Sequence, residues 1–234
     1  MSNRAVGVEG LGDRVVDLRD NDVAIRDARI YLREPSTYES TIKPVLDFIG
    51  ALLLIIVFSP LMLVSAIAVY RSLGSPIILK QPRVGRGGKV FEVYKFRTMH
   101  PDRRASDHPF IGEDRRISHK RADDPRLTPT GEFLRKWSLD ELPQFFNVIR
   151  GEMSLVGPRP ELVSIVTRYE PWQHQRHAVK PGITGLWQVS ERGDRMLHEA
   201  TDLDIEYLDH QSAMSDLAIL ARTPLVMLGL RTGH

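Results

Sequence analysis

From Phe48 to Tyr70 the sequence carries no charged side chain: FIGALLLIIVFSPLMLVSAIAVY. A helix needs about 20 apolar residues to enter a bilayer, and this run supplies them. A buried core helix fits poorly, because core helices keep a polar stripe. A secretory signal is not the expected reading, since the run starts far from Met1. Ser59-Pro60 falls in the middle. Proline removes a backbone donor and clashes with the preceding turn, so a kink is expected there. The backbone groups it frees need a partner, and the Ser59 hydroxyl is the nearest. Residues 41–72 therefore read as a membrane helix with its hinge at Ser59 and Pro60. Hydropathy alone does not separate a spanning helix from a re-entrant one. The Ser-Pro break and the basic residues on both flanks (Arg29, Arg33 and Lys43 before, Arg71 after) favour the re-entrant form.

Charge distribution says more than net charge. The net charge of +2 sets up no field for a polyanion, so nucleic acid is not an expected partner. From Arg71 to Arg104 basic residues dominate, opposed only by Glu92 and Asp102, which puts the main domain on the cytoplasmic side. With no cysteine there are no disulfides and no thiolate metal sites, in keeping with a reducing compartment. The 234 residues suffice for one core with an appendage. Residues 1–40 are polar with mixed charges and read as a loosely attached extension. Residues 73–234 are left as the domain that carries the chemistry.

In that domain Pro76-Ile-Ile-Leu-Lys-Gln81 and Val90-Phe-Glu-Val-Tyr-Lys-Phe-Arg97 read as strands of a hairpin around a Gly-rich, basic turn. Lys95 and Arg97 are two apart and share a strand face, which suits phosphate or a solvated surface equally. The stretch from His100 to Arg126 reads as a charged loop. Its Asp102, Asp107, His108 and His119 show no metal-ligand spacing. Asp140 and Glu141 then stand side by side, flanked by Arg135, Lys136, Arg150 and Arg159. On its own the pair has a plain explanation, since Ser138-x-x-Glu141 fits a capping box. Pro143 sets a helix start near Asp140–Pro143, and Arg150-Gly151 sets its stop. Two prolines stiffen Gly157-Pro-Arg-Pro160 around Arg159, preorganising a bidentate phosphate contact. A helix is expected over Glu161–Gln173. Lys180-Pro-Gly-Ile-Thr-Gly185 reads as a loop able to approach a ligand closely, with Trp187 in the core. Helix begins again near Asp202–Tyr207. Asp216–Leu230 reads as an interfacial segment interrupted at Arg222 and Pro224.

Taken together, several motifs resemble the bacterial sugar transferase family, the monotopic phosphoglycosyl transferases. They are Lys43-Pro-x-x-Asp47, Ser59-Pro60, Lys95-Phe-Arg-Thr-Met99, Asp124-Pro-Arg-Leu-Thr128 and Leu134-Arg135. Further on come Ser138-Leu-Asp-Glu-Leu-Pro-Gln144, Asn147-Val148, Gly151-Glu-Met-Ser154, Gly157-Pro-Arg-Pro160, Lys180-Pro-Gly-Ile-Thr-Gly185 and Asp204-x-x-Tyr207. The resemblance covers roughly Lys43 to Leu230.

It implies an α/β fold, with a small mixed cytoplasmic domain on an N-terminal kinked re-entrant membrane helix and with interfacial amphipathic helices. The site would lie at the cytoplasmic face of the bacterial inner membrane. The implied reaction moves a phosphosugar from a UDP-sugar to undecaprenyl phosphate and releases UMP. Asp140 would be the nucleophile and Glu141 would hold Mg²⁺. Lys95, Arg97, Arg135 and Arg159 would meet phosphate charge, and Asp204 would be a supporting polar contact. A membrane-bound phosphohydrolase and a non-enzymatic membrane scaffold are the alternatives. A homodimer is left open, and the sugar and the polymer are not legible.

Overall fold

The computed structural model describes residues 14–17, 29–32, 35–100, 126–190 and 200–228. The charged stretch 101–125 and most of the polar extension lie outside them. Near the N-terminus β1 (Arg14–Asp17) and β2 (Arg29–Leu32) pair antiparallel.

A π-helical turn at Tyr38–Ile42 leads into α1 (Lys43–Leu73), the one helix among the described residues long and apolar enough to cross a membrane. At about 1.5 Å per residue its length exceeds the hydrocarbon thickness of a bilayer, about 30 Å. Its apolar residues divide into two faces. Ala51, Leu54, Ile55 and Phe58 pack into the main core, and Met62, Ala66, Val69 and Leu73 into a second cluster with Phe96 and Leu134. These positions recur every three or four residues, so a single stripe meets the domain along the whole helix. The opposite face (Leu46, Ile49, Leu53, Ile56, Val57, Leu63, Val64, Ile67) is apolar and exposed.

The chain stays helical through Ser59-Pro60. Pro60 has no N–H for the carbonyl of Ile56, four residues back. The Ser59 hydroxyl donates to that carbonyl at 2.8 Å. The dipeptide thus supplies its own repair.

β3 (Ile78–Val84) and β4 (Val90–Phe96) form the expected antiparallel hairpin. After it come α2 (Pro129–Lys136), a 3₁₀ turn at Leu139–Glu141 and α3 (Gln144–Ile149). Thr128 caps α2 through its side chain, accepting from Gly131 N at 3.0 Å. Next are β5 (Ser154–Val156), β6 (Glu161–Leu162) and the single turn α4 (Val163–Val166). A 3₁₀ segment, Pro171–Ala178, precedes β7 (Gly182–Thr184), which pairs parallel with β5. The sheet order is β4-β3-β6. The helix expected over Glu161–Gln173 is thus reduced to the single turn α4. Glu161 enters the sheet opposite Val84, and Pro171 opens a separate 3₁₀ segment.

The fold closes with α5 (Leu186–Ser190), α6 (Thr201–Asp209) and α7 (Ala213–Met227). The interruption expected at Arg222 and Pro224 does not occur. α7 runs through both, pinned by buried Asp216 and Ile219, while Met214, Leu217, Leu220 and Leu225 stay exposed. Packing of the buried stripe outweighs the local cost of the proline.

One buried polar knot ties α1, α6 and α7 together. Asp216 accepts from Lys43 Nζ at 2.5 Å, from the Tyr38 hydroxyl at 2.7 Å and from the Tyr207 hydroxyl at 2.7 Å. Asp47, one turn beyond Lys43, accepts from Leu155 N at 3.0 Å and so fixes α1 to β5. Lys43, Asp47 and Asp216 are all under a tenth exposed. Removing one member of a buried ion pair leaves the other uncompensated, at about 3–5 kcal/mol. Asp216→Ala should lose stability on that scale in thermal unfolding of detergent-held protein. The apolar pair Lys43→Met/Asp216→Leu should recover most of it. A single variant that melts like the wild type would show that the knot does not hold the helix.

Candidate active site

The site forms where β4, the turn after α2 and the loop after β5 converge. Asn147, fully buried on α3, fixes the helix that follows that turn against β4. Its Nδ2 donates to Glu92 O at 2.7 Å, and its Oδ1 accepts from Tyr94 N at 3.0 Å. This clamps α3 to β4. Leu139 and Leu142 pack against the Phe96–Leu134 cluster on either side of the carboxylate pair. Ser138 adopts a left-handed conformation, φ 52°, which turns the chain sharply from α2 into the Leu139–Glu141 turn. Such a conformation is unfavourable for a residue with a Cβ and persists only where its surroundings enforce it.

The capping-box explanation for the pair does not hold. Ser138 makes no side-chain cap bond, and α3 starts only at Gln144 with Pro143 before it. The Glu141 carboxylate instead faces two cations. Lys95 Nζ donates to Oε1 at 2.9 Å. Arg159 forms a fork, Nη1 to Oε2 at 3.2 Å and Nη2 to Oε1. Burial alone would raise the Glu141 pKa, but Arg159 and Lys95 outweigh it and hold the carboxyl well below its usual range. In return Glu141 raises the pKa of Arg159 against the effect of burial. Burial pushes Lys95 down, with Glu141 opposing.

Asp140 behaves differently. Among the described residues no hydrogen bond or ion pair engages its carboxylate. Burial, and then the charge of Glu141, push its pKa up from 3.8 to about 6, while Lys95, Arg135 and Arg159 pull the other way. The turn thus holds one carboxylate locked in ion pairs and one half-buried, unpartnered and nearly matched to neutral pH. Unpartnered, raised carboxylates of this kind cluster at functional sites.

Arg159 rests on a braced loop. Gly157 N donates to Thr184 O at 2.9 Å, and Gly182 N donates to Pro158 O at 2.9 Å. A Cβ at Gly182 would lie 2.1 Å from Gly157 N, and one at Gly185 would lie 2.3 Å from Gly157 O. The glycines of Lys180–Gly185 serve close approach between two protein backbones.

Of the other expected site residues, Arg135 stays near Asp140, with its Nε donating to Thr98 Oγ1 at 2.9 Å. Arg97 is not brought to Glu141. Its guanidinium caps the end of α1, donating to Leu73 O at 2.5 Å, Gly74 O at 2.8 Å and Ser75 O at 3.3 Å. Asp204, on α6, is buried against Arg176 at 2.8 Å. Ser59 and Pro60 are exposed on α1. Sequence reasoning missed Arg176 and Asp216, because a buried charge leaves no mark when its partner is distant in the chain.

The described residues hold no group of three or more His, Asp or Glu placed for a metal ion. A hard cation that keeps its waters takes only one or two carboxylates beside substrate phosphates, and the oxygens of Asp140 and Glu141 are of that type.

The family model described as bacterial sugar transferase matches residues 38–229. The chain belongs to that family. Among curated relatives, this sugar transferase is 39% identical over 193 residues to the undecaprenyl-phosphate galactose phosphotransferase of Salmonella typhimurium, covering 80% of this chain and 40% of that protein. It is 39% identical over 200 residues to the UDP-glucose:undecaprenyl-phosphate glucose-1-phosphate transferase of Xanthomonas campestris pv. campestris, covering 82% and 40%. The exopolysaccharide production protein ExoY of Sinorhizobium fredii is 40% identical over 189 residues, covering 78% of this chain and 84% of that protein. The chain thus spans well under half the length of the first two and most of the third.

The raised ionisation of Asp140 has a thermodynamic sign. An acid whose pKa is higher in the folded state destabilises the fold once ionised. That penalty is complete above about pH 6 and gone below 3.8. Asp140→Asn in this sugar transferase should therefore melt higher than wild type at pH 7, by ~1–3 kcal/mol. The gain should vanish at pH 4. A gain that does not change with pH would contradict the raised ionisation.

Proposed function

We propose that the chain transfers a phosphosugar from a UDP-hexose to undecaprenyl phosphate in two steps through Asp140. The observation that carries the reading is the contrast within the carboxylate pair. Glu141 is clasped by Lys95 and Arg159, while Asp140 is unpartnered beside the same cations. Two cations gathered round a carboxylate make a receptor that a diphosphate can also occupy. A carboxylate nucleophile splits one difficult displacement into two easier ones.

In the first step an Asp140 oxygen attacks the β-phosphorus of the donor. The new Asp–O–P bond forms as the bond to the bridging oxygen breaks, and UMP leaves with that oxygen. In the second, a phosphate oxygen of the lipid attacks the same phosphorus, and the aspartyl bond breaks to return Asp140. Ionised Asp140 is required, so the first step should fall away as the pH drops through about 6. Lys95, Arg135 and Arg159 neutralise the phosphoryl oxygens, which is the main demand of phosphoryl transfer. Magnesium, held through Glu141, would add positive charge at the diphosphate once the donor has drawn Lys95 and Arg159 away. Relatives whose names specify galactose and glucose support a hexose donor.

The reading extends to the membrane. Both ends of α1 are tied to one domain, Lys43 to Asp216 and Leu73 to Arg97, and the stripe between them packs along that domain. A helix held in this way does not place its ends on opposite sides of a bilayer, which supports a re-entrant, monotopic arrangement. Its bare face, with that of α7, would sit in lipid. The basic excess after Arg71 supports a site on the cytoplasmic face of the inner membrane.

The test is UMP release by purified protein with magnesium, UDP-glucose or UDP-galactose, with and without undecaprenyl phosphate, alongside intact-mass spectrometry. Lipid-dependent UMP release, with a hexose-phosphate adduct absent from Asp140→Asn, is the expected result. UMP release with free sugar phosphate and no lipid product would replace the transferase by a hydrolase. A full-strength adduct in Asp140→Asn would remove Asp140 as nucleophile.

A further inference from the structure

Arg176 is among the largest fully buried side chains, at 2% exposure, yet it carries a charge and bonds neither of the side chains that clasp Glu141. Burying a guanidinium is costly unless it is paired and hydrogen-bonded. Both terminal nitrogens of this one have a partner. Nη1 donates to the Tyr169 hydroxyl. Nη2 donates to the backbone carbonyl of Arg159 at 2.7 Å. Asp204 Oδ2 lies 2.8 Å from Nη2 but makes no aligned hydrogen bond, so it serves as a counter-ion while the N–H points at Arg159. His174 and His177 flank the group. His177 is held neutral by burial and by the charge of Arg176, so it adds no second positive charge. Burial opposes the charge of Arg176, and Asp204, Tyr169 and Glu161 together outweigh it.

The remaining polar groups of the loop are also engaged. Arg83 Nη1 reaches Pro160 O at 3.3 Å, and Gly182 N reaches Pro158 O at 2.9 Å. Of these three carbonyls, only that of Arg159 is held by a buried side chain on the 3₁₀ segment. This contact joins α6, through Asp204, to the residue whose guanidinium grips Glu141.

We infer that Arg176, with Asp204 as its counter-ion, is a positioning residue that aims the Arg159 guanidinium at the donor diphosphate. Asp204 accordingly acts on the substrate through two residues, Arg176 and Arg159. The inference rests on the transfer reaction proposed above and deepens it. A misplacement of about 1 Å at a positioned group can cost roughly 100-fold in rate.

The experiment is a double-mutant cycle read by exchange of labelled UMP into UDP-glucose and UDP-galactose without lipid acceptor, which isolates the first step. Arg176→Lys keeps a charge opposite Asp204 but cannot reach all three partners. It should melt near wild type and lose exchange by about 10- to 100-fold. In an Arg159→Gln background the same change should cost nothing further, because residues acting as a unit are non-additive. Losses that multiply across the two backgrounds, or wild-type exchange in Arg176→Lys, would overturn the inference. Should Arg176→Lys fail to fold, Tyr169→Phe takes its place in the cycle with the same two outcomes. Wild-type protein that exchanges neither donor would remove the proposed reaction, and the inference with it. Exchange by wild type with an additive cycle would remove only the inference.

Discussion

Every part of this chain has to accommodate a helix with no polar face. α1 is apolar on all sides, and water is a poor solvent for any of them. The fold solves half the problem by covering a stripe along its entire length with two hydrophobic clusters, and leaves the other half for lipid. The polar groups that cannot be avoided are paired where they occur. Lys43 and Asp47 are buried at one end, Ser59 repairs the carbonyl orphaned by Pro60, and Arg97 caps the last turn. These contacts set the depth and direction from which β4 and the carboxylate turn depart.

The same economy governs the site. Four charged side chains, Lys95, Asp140, Glu141 and Arg159, crowd a partly desolvated corner. Coulomb attraction satisfies three of them and leaves Asp140 as the one whose ionisation is disfavoured. That is a stable way to keep an unpaired carboxylate, since the ion-paired members form the frame. The strained turn at Ser138 belongs to this arrangement, because a relaxed helix would carry Asp140 and Glu141 around its axis and away from Lys95.

Much of this was legible in the residues. The uncharged run, the hairpin and the paired acids each announce themselves through short-range chemistry. Lys95 and Arg97 read as one basic strand face, and their division of labour was not legible. One contacts Glu141 and the other ends α1, and only the third dimension separates them. The helix expected over Glu161–Gln173 shrank to the single turn α4 because Val84 takes Glu161 into a β-ladder and Pro171 opens a separate 3₁₀ segment. The break expected at Pro224 failed because burial of Ile219 and Asp216 outweighed a local breaker. Arg176 was invisible for a related reason, its meaning being supplied by Asp204 and by the carbonyl of Arg159, neither of them near it in sequence.

The interlocked glycines at Gly157, Gly182 and Gly185 have a consequence for how such an enzyme can diversify. Two backbones touch there with no space for even a methyl group, so the clamp that carries Arg159 cannot be reshaped by changing those residues without separating β5 from β7. On the transfer reaction proposed above, a clamp of fixed form would suit the diphosphate that nucleotide-sugar donors have in common. Discrimination between one hexose and another would then fall to surfaces that can vary without loosening this seam, and new donor preferences could arise while the clamp stays unchanged.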